Sequence, residues 1–319
     1  MKIMYAGKIP PEMLKKIVFS SLGPASSLVK VGPGVGEDAA VLQIDDSYHV
    51  VASDPVTGAK KNIGHIAVHV NANDVAVTGA DPQFFMPTIL LKSSVGEEGL
   101  KDIVSQIGKA CKEVGATVVG GHTEFVSSID MTIIAGTMFG YTSRYIPTSG
   151  ASPGDAIVLT KGAALEGTSI LASEREDELA SVLTAHELSI AKGFSSLISV
   201  VPEARLIRSY VTSMHDPTEG GIAGALNEMA EASGYGFDVD PAAIPVPEVT
   251  QKICRHFECD PLTLISSGAL IATVPPAHVN AVNDVLAGAH IEHAFIGSIV
   301  ESGRTLDMPE HDALWDILD

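Results

Sequence analysis

Carboxylates set in glycine-bearing turns are the residues of this chain best suited to chemistry. Gly36-Glu37-Asp38 places two acids at the mouth of a β-branched run, where the glycines let backbone and ligand approach closely. Such a turn suits a metal bridged to phosphate, although taken alone it is also an ordinary turn. Asn71, Asn73 and Asp74 fall within a nearly all-apolar stretch, and the i, i+3 spacing puts Asn71 and Asp74 on one helical face. A carboxylate buried there needs a cation or several donors. A backbone partner or a core Lys or Arg would meet that need equally well. Asp54, in Ser53-Asp54-Pro55, is by itself an Asp-Pro turn at the end of a strand.

Gly120-Gly121-His122-Thr123-Glu124 follows a strand, an arrangement in which backbone N–H groups can cup a phosphate. His122 could hold phosphate or metal there, or be a hydrogen-bonded turn residue. Lys161-Gly162 after a strand, and Gly167-Thr168-Ser169 opening a helix, could also meet an anion. His215-Asp216-Pro217-Thr218-Glu219-Gly220-Gly221 ends a strand and opens a helix, with Asp216 or Thr218 expected as its N-cap.

Two domains are expected to position these residues, 1–150 and 151–319, divided by the Ser-, Pro- and Gly-rich stretch between Tyr141 and Asp155. In the first, Met13, Leu14, Ile17, Val18 and Leu22 give an amphipathic helix over 11–22, and Ala39 to Ile44 and Tyr48 to Ala52 form a hairpin. A buried helix runs from Asn62, its expected N-cap, to Thr78, with Gly79 closing it. A strand near Phe84 to Leu91, a helix from Gly96 to Val114 and strands at Ala116 to Val119 and Met131 to Phe139 follow. The second domain alternates strands and helices, from Ala156 to Thr160 onward to Ile299. Fold class is therefore α+β or α/β.

The formal charge of −19 repels a phosphate backbone and argues against nucleic-acid partners. Three cysteines, Cys111, Cys254 and Cys259, contain no Cys-x-x-Cys pair, so neither a disulfide framework nor a zinc site is expected from them. The first residues carry no apolar h-region and no apolar run is long enough to span a bilayer, so a cytoplasmic protein is expected. The familiar P-loop, dinucleotide and kinase signatures are missing, so any ATP site must use another architecture.

Five motifs, in order, carry a resemblance: Gly36 to Val41, Ser53 to Pro55, Val70 to Pro82, Gly120 to Glu124 and Asp216 to Gly221. Together the chain resembles the superfamily of aminoimidazole ribonucleotide synthetase, thiamine monophosphate kinase, selenophosphate synthetase and the hydrogenase maturation factor HypE. It looks most like the HypE-related branch, through Ala225 to Gly234, Cys259 to Leu262, Ser266 to Leu270 and the Gly7-Lys8-Ile9-Pro10 opening. The resemblance implies a PurM-like two-domain fold: an N-terminal mixed sheet that pairs in a homodimer, and a C-terminal α/β domain. It implies ATP and Mg2+ as cofactors, with phosphate passed from ATP to an oxygen of a small-molecule or protein-carried acceptor.

Carried over by position, Asp38, Asp54, Asp74 and Asp216 are implied as metal ligands, with Asp38, Asp74 and Asp216 catalytic. Gly36, Glu37, Asn71, Gly120, Gly121, His122, Thr123, Lys161 and Glu219 are implied as cofactor contacts. His122 stands where relatives commonly have Asp or Glu, and the last residues, Asp312 to Asp319, lack the cysteine of the Pro-Arg-Ile-Cys tail that HypE carries. Carbamoyl dehydration on the chain's own tail is therefore not expected. A catalytically inactive nucleotide-binding maturation partner and a thiamine monophosphate kinase-like enzyme remain as alternatives.

Overall fold

The computed structural model describes residues 7–57 and 62–318. They form two compact units, one of Ser27–Gly32 with Asp38–Tyr145, the other of residues 7–26, 33–37 and 146–318. A division at residue 150 would assign residues 7–26 and 33–37 to the first unit. They group with the second, where Lys8 and Glu37 are tied by hydrogen bonds to Glu219, Thr148 and Ser149.

The first unit contains β1 (Val29–Val31), β2 (Ala40–Ile44), β3 (Ser47–Ala52), β4 (Pro55–Val56), α1 (Ile63–Val77), β5 (Phe84–Lys92), α2 (Gly96–Val114), β6 (Thr117–Val118), β7 (His122–Val126) and β8 (Ile133–Thr142). The strands lie in the order β1-β2-β3-β8-β5-β6, with β4 on β8 and β7 on β5. β6 and β7 run parallel to β5 and the other pairs are antiparallel, giving a mixed sheet. The expected β2–β3 hairpin forms around Asp45-Asp46, with Asp45 at φ 52°, as a two-residue turn requires.

α1 is buried along nearly its whole length, as a helix that is apolar on all sides must be. Its start differs from expectation: Asn62 lies in the left-handed region at φ 56° and its side chain makes no capping bond. At the other end Thr78 returns its hydroxyl to the Asp74 carbonyl at 2.8 Å and Gly79, at φ 91°, stops the helix. α1 lies on β3 and β8 with α2 beside it, and α2 turns Ile103, Ile107, Ala110, Cys111 and Val114 inward. The opposite sheet face is open and exposes Met86, Val119 and Tyr141.

The second unit contains β9 (Ala156–Thr160), α3 (Leu165–Glu174), α4 (Ala185–Gly193), α5 (Val201–Ile207), β10 (Ser213–His215), α6 (Gly221–Ser233), β11 (Gly236–Val239), α7 (Glu248–Phe257), β12 (Ile271–Val274), α8 (Val279–Gly288), β13 (His293–Val300) and α9 (Ala313–Leu318). Its five strands follow the order β10-β12-β9-β13-β11, all pairs antiparallel. One core seats Ile222, Leu226 and Met229 of α6 against Ile157, Leu159, Phe237 and Ile299 of the sheet. A second gathers Leu171, Leu188, Ile253 and Leu314 from α3, α4, α7 and α9.

Residues 11–21 depart from the single amphipathic helix expected. They wind as short α, π and 3₁₀ turns with no buried residue, and Ile17, Val18 and Leu22 are exposed. The apolar spacing is present, but burial of the stripe, which is what steadies a short helix, is not.

Candidate functional site

In the first unit, the antiparallel register that faces Ala40 with Val51 brings Asp38 and Asp54 to the same end of the β2–β3 hairpin. Asn71 fixes that end to α1. Its buried amide accepts the Asp54 N–H at 2.8 Å and donates to the Asp54 carbonyl at 3.1 Å and to Ala67 O at 2.9 Å. The Gly136 N–H of β8 also donates to the Asp54 carbonyl, at 3.0 Å. Asp74 follows one helical turn after Asn71 and is buried. The sequence spacing thus has two outcomes: Asn71 grips the main chain of the Asp54 turn, and Asp74 extends the same helix as a carboxylate.

The Gly120-to-Thr123 segment is placed differently from expectation. The two glycines separate β6 from β7, and His122 and Thr123 are already strand residues, paired with Thr88 and Ile89. The sheet rows run His122–Thr88–Ala135–Pro55 across β7, β5, β8 and β4. Three strand spacings, roughly 14 Å, therefore separate His122 from the residue after Asp54. The His122 ring is exposed and its Nε2 lies 3.6 Å from Glu124 Oε2.

In the second unit, the loop ahead of α6 collects Asp216, Thr218 and Glu219. The expected side-chain cap is not what begins this helix: Gly220, at φ 86°, is the N-cap and offers no capping side chain. The Gly220 N–H instead donates to the buried Asp312 carboxylate at 2.7 Å, whose other oxygen takes the Leu314 N–H at 2.8 Å. Burial pushes the Asp312 carboxyl up to about 6, against the pull of these backbone donors. Asp216 is buried at the head of the loop.

Gly36 packs against α6 so closely that a Cβ would fall 2.6 Å from the Glu228 carbonyl, and its φ of 82° suits glycine alone. Glu37 spends both carboxylate oxygens on backbone, accepting from Thr148 N at 3.1 Å and Ser149 N at 3.2 Å. Lys8 reaches the same loop: its main-chain N–H donates to Glu219 at 2.7 Å and its ammonium to Thr218 Oγ1 at 2.9 Å, 3.6 Å from Glu228. His215 Nε2 sits 3.0 Å from the other Glu228 oxygen. Burial would raise the Glu228 carboxyl, but Lys8 and His215 outweigh it and hold it at about 2. The sequence reading gave no role to Glu228, which lies within the Ala225 to Gly234 motif, or to Asp312.

Lys161 and Gly167 to Ser169 take structural places. The Lys161 ammonium pairs with the buried Glu203 at 2.6 Å and donates to Leu197 O and Ser199 O, at 3.0 and 2.7 Å. Burial lowers its pKa below the ordinary lysine value despite Glu203. Gly167 and Thr168 lie in the first turn of α3 with Ser169 next, and the Thr168 and Thr250 hydroxyls bond each other at 2.8 Å.

Residues 36–142 match the family model of the AIR synthase related protein, N-terminal domain, and residues 152–306 that of its C-terminal domain. The carbamoyl dehydratase HypE of Cupriavidus necator is 32% identical over 262 residues, 80% of this chain and 72% of that one. A solved HypE in complex with ATP superposes with TM-score 0.71 at 23% identity, covering 95% of each chain. A ThiL complexed with AMPPCP and TMP gives TM-score 0.75 at 17% identity, covering 94% of each. The two structural likenesses are likenesses of fold, the mixed-sheet unit and the α/β unit included. Among the described residues no helix is long and apolar enough to cross a membrane.

Proposed function

The chain belongs to the AIR synthase related family, and from that premise we propose that it is an ATP- and Mg2+-dependent enzyme that moves phosphate onto an oxygen of a small or protein-carried acceptor. The observation that carries the proposal is the Asn71 clamp. A buried amide spends two hydrogen bonds on the main chain of a two-residue turn that carries the Asp54 carboxylate, and a third to its own helix, at the hairpin end that also bears Asp38. So much ordering at a turn of no packing value suits a binding site better than a scaffold.

Asp38, Asp54 and Asp74 offer the hard carboxylate oxygens that Mg2+ takes alongside phosphate, so the residues present fit the ion. Bound there, Mg2+ would neutralise charge on the phosphate chain. This chain's own part is to hold those carboxylates in place before the nucleotide arrives: α1 positions Asp74, and Asn71 positions Asp54. Pre-set charge of this kind lowers the barrier because nothing has to reorganise during transfer. The relative named carbamoyl dehydratase suggests an acceptor with an amide-type oxygen, made a leaving group by phosphorylation.

We further assign the open sheet face, with Met86, Val119 and Tyr141, to pairing of two copies, because an exposed apolar patch marks an interaction surface. The strand β7, which begins at His122, borders that face. Purified protein with ATP and Mg2+ should release ADP in the presence of one of a panel of carbamoyl, amide and phosphomonoester acceptors, thiamine monophosphate included. If ATP binds with Mg2+ but no acceptor is turned over, the nucleotide-binding partner reading replaces the enzyme.

A further inference from the structure

A second cluster lies away from the hairpin end, where α1 and α2 run side by side. His65 and His69 stand four residues apart on α1, so both rings project from one helical face. Their ring centroids are 4.3 Å apart. Glu113, in the last turn of α2, meets both: its Oε2 lies 3.2 Å from His69 Nε2 and 3.8 Å from His65 Nδ1. One candidate ligand atom from each of the three residues falls within 4.8 Å of the others.

The helices are held together for this. Gly64, next to His65, lets α2 come so near that a Cβ would sit 2.6 Å from the Ile103 carbonyl, and its N–H donates to Gln106 Oε1 at 3.0 Å. His69 is buried, His65 half-buried and Glu113 exposed, so the cluster grades from a fixed inner ligand to one that solvent can reach.

We propose that His65, His69 and Glu113 form a site for a divalent transition ion of the Zn2+ class, distinct from the Mg2+ carboxylates and independent of the function proposed above. Two imidazoles with one carboxylate are the donors that Zn2+, Ni2+ and Co2+ prefer, whereas Mg2+ takes oxygen alone. Two ligands at about 2.0 to 2.1 Å in tetrahedral array stand roughly 3.3 Å apart. The 3.2 Å His69–Glu113 separation already has that value, and His65 needs only a small side-chain rotation. The Lys109 ammonium acts on His65 and opposes a cation, so affinity is moderated.

The test is a titration of the full chain, first stripped with a chelator, with Zn2+ against a chromogenic competitor and with Co2+ followed by its visible absorption. One equivalent should bind. His65→Ala and Glu113→Gln should each weaken it by about tenfold or more, Lys109→Gln should tighten it a few-fold, and Asp54→Asn should leave it unchanged. Zn2+ should raise the melting temperature of the parent chain and not of His65→Ala. Both substituted positions are partly exposed, so neither variant risks the fold, and the melting curve without metal checks this. Absence of a stoichiometric site, or binding that ignores both His65→Ala and Glu113→Gln, would overturn the proposal and leave the trio as a hydrogen-bonded tie between two helices.

Discussion

The two acid-bearing turns of this protein are held by opposite means. At the β2–β3 hairpin end a neutral amide, Asn71, and the Gly136 N–H grip the main chain of Asp54. At the head of α6 the loop from Asp216 to Gly221 is ringed by charges: Lys8, Glu219, Glu228 with His215, and Asp312. A neutral clamp fixes geometry without changing the charge seen by a ligand. An ionic clamp fixes it only while its members stay ionised, and its worth depends on burial and pH. The first arrangement suits residues that must offer charge to something else, and the second suits a loop anchored for shape.

The largest effect that would sharpen this contrast comes from Lys161, whose partner Glu203 is buried. Lys161→Met strands the buried Glu203 and should lower stability by about 3 to 5 kcal/mol. Nucleotide affinity measured on the folded fraction should stay unchanged, and a loss of affinity with intact stability would return Lys161 to the cofactor. Next is Glu228→Gln. Because the folded Glu228 carboxyl lies near 2, below its ordinary 4.5, its stabilisation is present above pH 4.5 and is lost as pH falls toward 2. The substitution should flatten that acid limb in urea melts and cost on the order of 3 kcal/mol at neutral pH, an upper figure because Lys8 is half-exposed. An unchanged acid limb would remove the ionic clamp from the account. Smaller still, Asn71→Ala leaves the Asp54 N–H without its acceptor and should cost about 2 kcal/mol, with no new pH dependence between 4 and 8. A pH-dependent loss would mean that the clamp is not neutral after all.

Much of the fold was legible because periodicity reports burial directly. α1 falls where the chain is apolar on all sides, α2 where apolar residues repeat at helical spacing, and β2 and β3 where a short acidic turn joins β-branched runs. The stretch from residue 11 to 21 shows the limit, since the same periodicity appears there without a partner to bury it against. The site was legible in part. Asn71 and Asp74 stood out as polar residues inside an apolar helix, but nothing in the sequence tells that Asn71 bonds to the Asp54 backbone, a contact across 17 positions. Gly120 to Thr123 read as a turn because paired glycines usually make one, and the parallel pairing of β7 with β5 is a long-range choice. The Lys161 partner was not legible because charge after a strand is ambiguous until its partner is known, and Glu203 lies 42 residues downstream of Lys161, in α5.

The central claim, that the carboxylates beside the Asn71 clamp hold Mg2+ and through it the nucleotide, is tested most directly by calorimetric titration of ATP into the parent chain and Asp74→Asn, with and without Mg2+. The account predicts Mg2+-dependent binding by the parent chain and none by Asp74→Asn, with both folded to the same extent by circular dichroism. Equal affinities for the two would contradict it and make Asp74 a structural residue of α1.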